Sequence, residues 1–208
     1  MSEKDQILKL NSNDENIKII EMFLNSNTLT IDDYFKVFMH MVKIKSDLNY
    51  FDVAYKDLVV YYQNKPSTMK NYDLVKILEQ LFKLSLKLNK VDNAYNYYVE
   101  LNQILPVDKR YIGLICLIEY KKAISEDYIE DINKLLNDVL PFQIRMDYTN
   151  ELLNLYIQNE RYEEALIHIE EVKKIDPTHS YLPTYFNLLF KTKNYDSLKS
   201  MANNYKNH

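Results

Sequence analysis

The sequence predicts an all-α fold, an α-solenoid of ten or eleven helices stacked in antiparallel pairs, on three observations. Four of the five prolines, Pro66, Pro106, Pro141 and Pro177, lie 40, 35 and 36 residues apart, and counting back 12 residues from three of them reaches Ala54, Ala94 and Ala165. Alanine and proline together number only about ten, so the coincidence marks an internal repeat, the signature of chains whose units bury their apolar faces against one another. A single glycine stands in 208 residues, where a usual share is roughly 7%. Helices with short connections tolerate that scarcity; phosphate-cradling loops, which need glycine for close backbone approach, do not. The third observation is the stretch 146–179. Leu152, Leu155 and Tyr156 share one helical face, residues 158–161 break the pattern, and Tyr162, Ala165, Leu166, Ile169 and Val172 restart it. Asp176-Pro177 ends the second helix, because the residue before a proline is pushed out of the helical region.

Taken in order, residues 1–30 form a helical cap. EKDQILKL makes a short helix, and Asn13-Asp14-Glu15 supplies cap chemistry for a second, whose apolar stripe holds Ile19, Ile20, Met22 and Phe23. Thr30-Ile31-Asp32-Asp33 starts the next helix. Repeats follow at about 35–68, with Phe51, Ala54 and Leu58 on the second helix, and at 75–108, with Leu78, Leu81, Ala94, Tyr98 and Pro106. Residues 67–72 between them lengthen a helix or a connection. The repeat at 110–143 is poor: Tyr120 and Pro141 fit it, Gly113 and Ile129 do not. The repeat at 146–178 is the clearest. Residues 179–208, with Tyr195 and Leu198 on a helix fraying at NNYKNH, form a truncated repeat that caps the array, and the whole of 1–208 is expected to be one domain. The many tyrosines and phenylalanines are assigned to core packing on the inner faces.

The unit at 146–178 resembles the tetratricopeptide repeat (TPR), which spans roughly 34 residues in the pattern W-x2-L-G-x2-Y…A-x3-F…P. Leu152, Tyr156, Ala165 and Pro177 match it, and Phe38 holds the tryptophan position of the first repeat. Thr149 stands for the tryptophan here, Leu153 for the glycine and Ile169 for the aromatic residue, so the copy is degenerate. The resemblance implies a right-handed superhelix whose concave side is lined by the first helix of each pair.

Composition limits the function. A formal charge of −4 and a pI near 5.6 make nucleic acid an unfavoured partner. The lone Cys116, in an apolar run, reads as a small buried hydrophobe in a reducing compartment. The start MSEKDQILKL lacks the basic-then-apolar order of a signal peptide, and no apolar run nears the ~18 residues of a membrane span. A cytoplasmic protein without membrane contact is expected. His40, His168, His179 and His208 share no metal-ligand spacing, so neither metal nor cofactor is expected, and His40 is assigned to a satisfied core or groove position. Glu163-Glu164 and Glu170-Glu171, followed by Lys173-Lys174, complement a helix dipole rather than forming an acid–base pair. The spacing of Arg161 and His168 resembles the R-x(4–6)-H motif of HEPN ribonucleases, which implies RNA cleavage at a dimer interface as the alternative to a non-enzymatic role.

Transferring the groove positions of TPR proteins gives a candidate binding surface. It contains Lys36 and Lys43 from the first repeat, Lys76, Lys83 and Lys87 from the second, Tyr111, Lys121 and Lys122 from the third. Asn150, Asn154 and Gln158 come from the fourth and Lys191 from the fifth. Counting every transferred position, lysines outnumber acids by eight to three in a chain that is acidic as a whole. Lysine offers point charge and the amides pair a peptide backbone. The expected partner is a protein or peptide, acidic or ending in a free carboxylate, with room for a homodimer. The surface is similar to the carboxylate clamp of chaperone-binding TPR domains without reproducing its residue combination. A resemblance to the peptide-pheromone-binding TPR domains of bacterial regulators implies a regulatory version of this scaffold.

Overall fold

The computed structural model describes the backbone of residues 2–26, 28–175 and 181–206, and the side chains of these residues other than 175 and 201–206. Pro177 and His179, which the repeat spacing uses to close one unit and open the next, lie outside them, as does His208. Every regular element among the described residues is helical: α1 (Glu3–Ile7), α2 (Asp14–Ser26), α3 (Ile31–Asp47), α4 (Phe51–Gln63), α5 (Asn71–Lys87), α6 (Val91–Ile104), α7 (Arg110–Ala123), α8 (Ile129–Leu136), α9 (Phe142–Gln158), α10 (Tyr162–Ile175), α11 (Leu182–Lys191) and α12 (Tyr195–Lys206), with a 3-10 turn at Val107–Lys109. Twelve α-helices thus stand where ten or eleven are expected. The short α1 forms as a separate element because Ser2 and Asp5 cap one another's backbone N–H groups. α12 continues to Lys206 rather than fraying from residue 203.

The chain divides into two compact units, Met1–Glu126 and Asp127–His208. The division falls inside the stretch 110–143. In the first unit each helix from α2 to α6 packs on the one that follows it, and in the second each from α8 to α11 does the same. α5 explains why hairpins stack in the first unit. Its Ile77, Leu81 and Leu84 enter the core shared with α2, α3 and α4, while Val75, Leu78 and Phe82 enter a core with α6 and α7. A helix apolar on two sides cannot satisfy both within one pair, so it becomes the wall between neighbours.

Five turns share one geometry. Asn49, Asn89, Ser125, Glu160 and Lys193 all have φ between 55° and 63°. In each turn that residue's N–H donates to the carbonyl three residues back, and the following N–H donates to the carbonyl five residues back. Asn49 to Ser46 at 3.0 Å and Tyr50 to Lys45 at 2.8 Å are one such pair, Glu160 to Ile157 at 3.2 Å and Arg161 to Tyr156 at 2.8 Å another. This is the Schellman closure of a helix, which satisfies carbonyls otherwise left without donors. Ala54, Ala94 and Ala165 stand five residues beyond their turns and are fully buried, where a small residue lets two helices touch.

The irregular third hairpin has a local cause. Its turn residue, Ser125, falls one position later in the repeat than the other four. α8 then starts four residues past the turn instead of two, with the Ile129 N–H donating to Asp127 Oδ1 at 3.0 Å. The alanine position moves with it and is taken by the fully buried Ile132. Gly113, the chain's one glycine, serves close packing rather than a turn: a Cβ there would meet Asn102 Oδ1 of α6 at 2.8 Å.

Candidate functional site

α3, α5 and α9 are each 17 residues long, and their buried and exposed positions coincide almost residue for residue. The coincidence fixes equivalent surface positions. Lys36, Lys76 and Asp147 occupy one of them, Lys43, Lys83 and Asn154 a second, and Asp47, Lys87 and Gln158 a third. In the first unit Lys36 and Lys43 lie on α3 and Lys76, Lys83 and Lys87 on α5, two helices that contribute to one core, and Lys76 Nζ lies 5.9 Å from the centre of the Phe35 ring. Lys43 pairs with Asp47 at 2.7 Å, Lys83 with Glu79 at 2.5 Å and Lys76 with Asp73 at 3.6 Å. Hydrogen bonds from Lys43 and Ser12 hold the Asp47 carboxyl below the usual carboxylate range. Lys36 and Lys87 are exposed.

The third-repeat residues sit differently. Because the turn comes at Ser125, Tyr111 and Lys121 are each one residue, about 100°, away from the positions equivalent to Lys36 and Ser46. Tyr111 is half-buried, with Lys109 Nζ 5.8 Å from its ring centre, and Lys122 pairs with Glu119 at 2.7 Å. In the second unit the corresponding face of α9 carries one acid, Asp147, and otherwise side-chain amides. Asn150 accepts a hydrogen bond from the Tyr181 hydroxyl at 3.0 Å, and Asn154 and Gln158 are exposed. Lys191, also exposed, places Nζ 5.7 Å from the Tyr162 ring centre. The basic character therefore belongs to the first unit, and α9 offers amides instead.

The two residues of the R…H spacing are engaged within the second unit. His168 is buried, and its Nε2–H donates to the Thr149 carbonyl at 2.9 Å. Burial pushes the ring below the usual histidine range despite that bond. Arg161 donates through Nε to Glu164 at 2.6 Å and lies 4.9 Å over the Tyr156 ring, whose other neighbour is His168 at 6.0 Å. Imidazole and guanidinium thus pack around one tyrosine. His40 likewise donates Nε2–H to the Leu10 carbonyl at 3.1 Å. Cys116 is buried and its thiol is pushed up to about 12 by that burial, so it is not a nucleophile at neutral pH. Among the described residues no cluster of three or more His, Cys, Asp or Glu is placed to hold a metal, and no helix is long and apolar enough to cross a membrane.

The first unit also holds an ion triad centred on a buried lysine. Lys45, whose side chain is only 6% exposed, donates to Asp57 at 2.7 Å and Glu21 at 2.9 Å. Burial works against its charge, but the two carboxylates outweigh burial and the ammonium's pKa is raised. This triad closes one end of an open cleft of about 630 Å³ between α2 and α4, floored by α3. The spacing Phe38, Met41, Lys45 does place the lysine on the apolar face of α3. Its partners, 24 and 12 residues away, leave no signal in the sequence.

Comparison of the chain with protein-family models, with curated proteins and with solved structures returns no match.

Proposed function

We propose that this chain is a non-catalytic TPR-like module, and that its first unit binds an acidic protein or peptide along the lysine stripe of α3 and α5. The observation that carries this reading is recurrence: Lys36 and Lys43 of α3 reappear as Lys76 and Lys83 of α5 at identical positions of the repeat. A ladder of equal charges on neighbouring helices suits a polypeptide that crosses both. The ion pairs within each helix do not oppose it, since exposed pairs contribute only about 0–1 kcal/mol and exchange readily for a ligand's carboxylates. A right-handed stack of the kind TPR hairpins form would make the stripe concave. A reducing setting such as the cytoplasm agrees with the buried free thiol of Cys116.

The test is selection from a displayed library of random decapeptides with free C-terminal carboxylates. Wild-type protein is expected to enrich Asp- and Glu-rich sequences. Lys83→Glu with Lys87→Glu, both at exposed positions, is expected to weaken those peptides at least tenfold while leaving the circular dichroism spectrum unchanged. Failure to enrich acidic sequences, or enrichment indifferent to the charge reversal, would overturn the reading.

A further inference from the structure

The cleft between α2 and α4 lies on the opposite side of α3 from the lysines. At ~100° per residue, Tyr34, Phe38, Met41 and Lys45 centre roughly 180° from Lys36 and Lys43. The floor runs from Ile31 to Lys45, about 21 Å at 1.5 Å per residue, and the volume lies within the ~300–1,000 Å³ of ligand clefts. Its interior is aromatic. The Phe38 and Tyr61 rings stack with centres 4.5 Å apart, and Tyr34 lies 6.1 Å from Tyr61. Its rim leaves apolar surface in water: Ile31 is 52% and Val60 58% exposed. Scattered apolar residues need no explanation, but a contiguous set lining a cleft marks an interaction site.

Charge decides what fits. Glu21 and Asp57 share the single cation of Lys45, so the closed end carries one net negative charge. Each carboxylate uses one oxygen on Lys45 and stays partly open to solvent, with side chains 47% and 32% exposed. Asn25 on α2 and Asn64 just past the end of α4 flank the trough. Asn64 Nδ2 donates to the Val60 carbonyl at 2.8 Å, and its side-chain oxygen and the Asn25 amide offer hydrogen-bonding groups to a peptide backbone. We propose that this cleft docks a short segment of a partner protein in which a lysine or arginine adjoins apolar side chains. The cation pairs with the Glu21 and Asp57 oxygens that Lys45 leaves unused while its apolar neighbours cover Tyr34, Ile31 and Val60. The site is independent of the lysine stripe and opposite to it in charge preference.

The same decapeptide library tests it separately. Wild-type protein is expected to enrich a second set of sequences, with Lys or Arg beside Leu, Ile, Met or Phe. Val60→Arg, which fills the mouth with a cation, is expected to weaken that set at least tenfold and leave the acid-rich set unchanged. Glu21→Gln is expected to relax the requirement for the cation while retaining the apolar preference. The absence of any basic–apolar set, or its survival in Val60→Arg, would overturn the proposal. So would sedimentation showing that the wild-type protein dimerises and the Val60→Arg variant does not, since a second copy would then be the occupant. Loss of the acid-rich set alone bears on the lysine stripe and not on this cleft.

Discussion

Asn49 and Asn89 turn the chain at positive φ, a conformation whose steric penalty asparagine partly offsets with local hydrogen bonds. Ser125, Glu160 and Lys193 adopt the same conformation without that advantage, at a cost on the order of 1 kcal/mol each. Glu160→Gly is therefore expected to stabilise the second unit by about 1 kcal/mol, read as a rise in its chemical-denaturation midpoint. Glu160→Ala, which keeps the Cβ, is expected to leave the midpoint within about 0.5 kcal/mol of wild type. The turn at Glu160 is legible because residues 158–161 interrupt the apolar pattern between two helices. The left-handed residue itself is not, because glutamate and lysine carry no turn signal and the helices on either side force the geometry. The Lys45 triad was hidden for a related reason: a buried charge is specified by partners from other helices. The buried alanines could be read, since a small residue at a fixed distance before a proline records a helix contact directly.

Between elements, α6 and α7 approach closely at Gly113. A Cβ there would lie 2.8 Å from Asn102 Oδ1 and 3.2 Å from Leu105 Cδ1, both far ends of flexible side chains, and Asn102 is exposed. Gly113→Val is therefore expected to cost no more than about 1 kcal/mol in urea denaturation, since Asn102 can swing aside, and a loss of about 3 kcal/mol would show that the approach tolerates no side chain. Gly113 matches its repeat in neither register, since counting back from the turns makes it equivalent to Val37 and Ile77, and its close approach to α6 is set by residues of another helix. The two-residue delay before α8 hid the alanine equivalent, Ile132. Helix type and pairing were legible because 3.6-residue periodicity and proline spacing act within a helix or hairpin. The inserted turn at residues 126–128 was not, since its Asp127 cap looks like any exposed aspartate.

For the molecule as a whole, acid sensitivity follows from the surface carboxylates. The side-chain hydrogen bond from Lys4 holds Asp33 below its ordinary pKa, as Lys43 does Asp47, Lys56 Asp52 and Arg161 Glu164. Each depressed group contributes stability that is complete above its unfolded pKa, near 4, and disappears as pH falls through its lower folded pKa. The thermal midpoint is expected to fall modestly once pH drops below about 6.5, where the unfolded chain protonates His168 and the folded chain resists doing so, and to decline further below about pH 4 as the carboxylates protonate; a midpoint that rose on acidification would contradict these pairings. The division into two units was not legible, since proline spacing continues across residue 126, and it redistributes the candidate site. Seven of its eight lysines belong to the first unit, five of them on α3 and α5, while Lys191 and the side-chain amides of α9 belong to the second. The most direct test of the account is the affinity of the selected acidic decapeptide for wild-type and Lys83→Glu/Lys87→Glu protein as salt rises. The account predicts wild-type binding that weakens steeply with ionic strength and variant binding at least tenfold weaker and nearly flat. Coincident curves for the two proteins would contradict it.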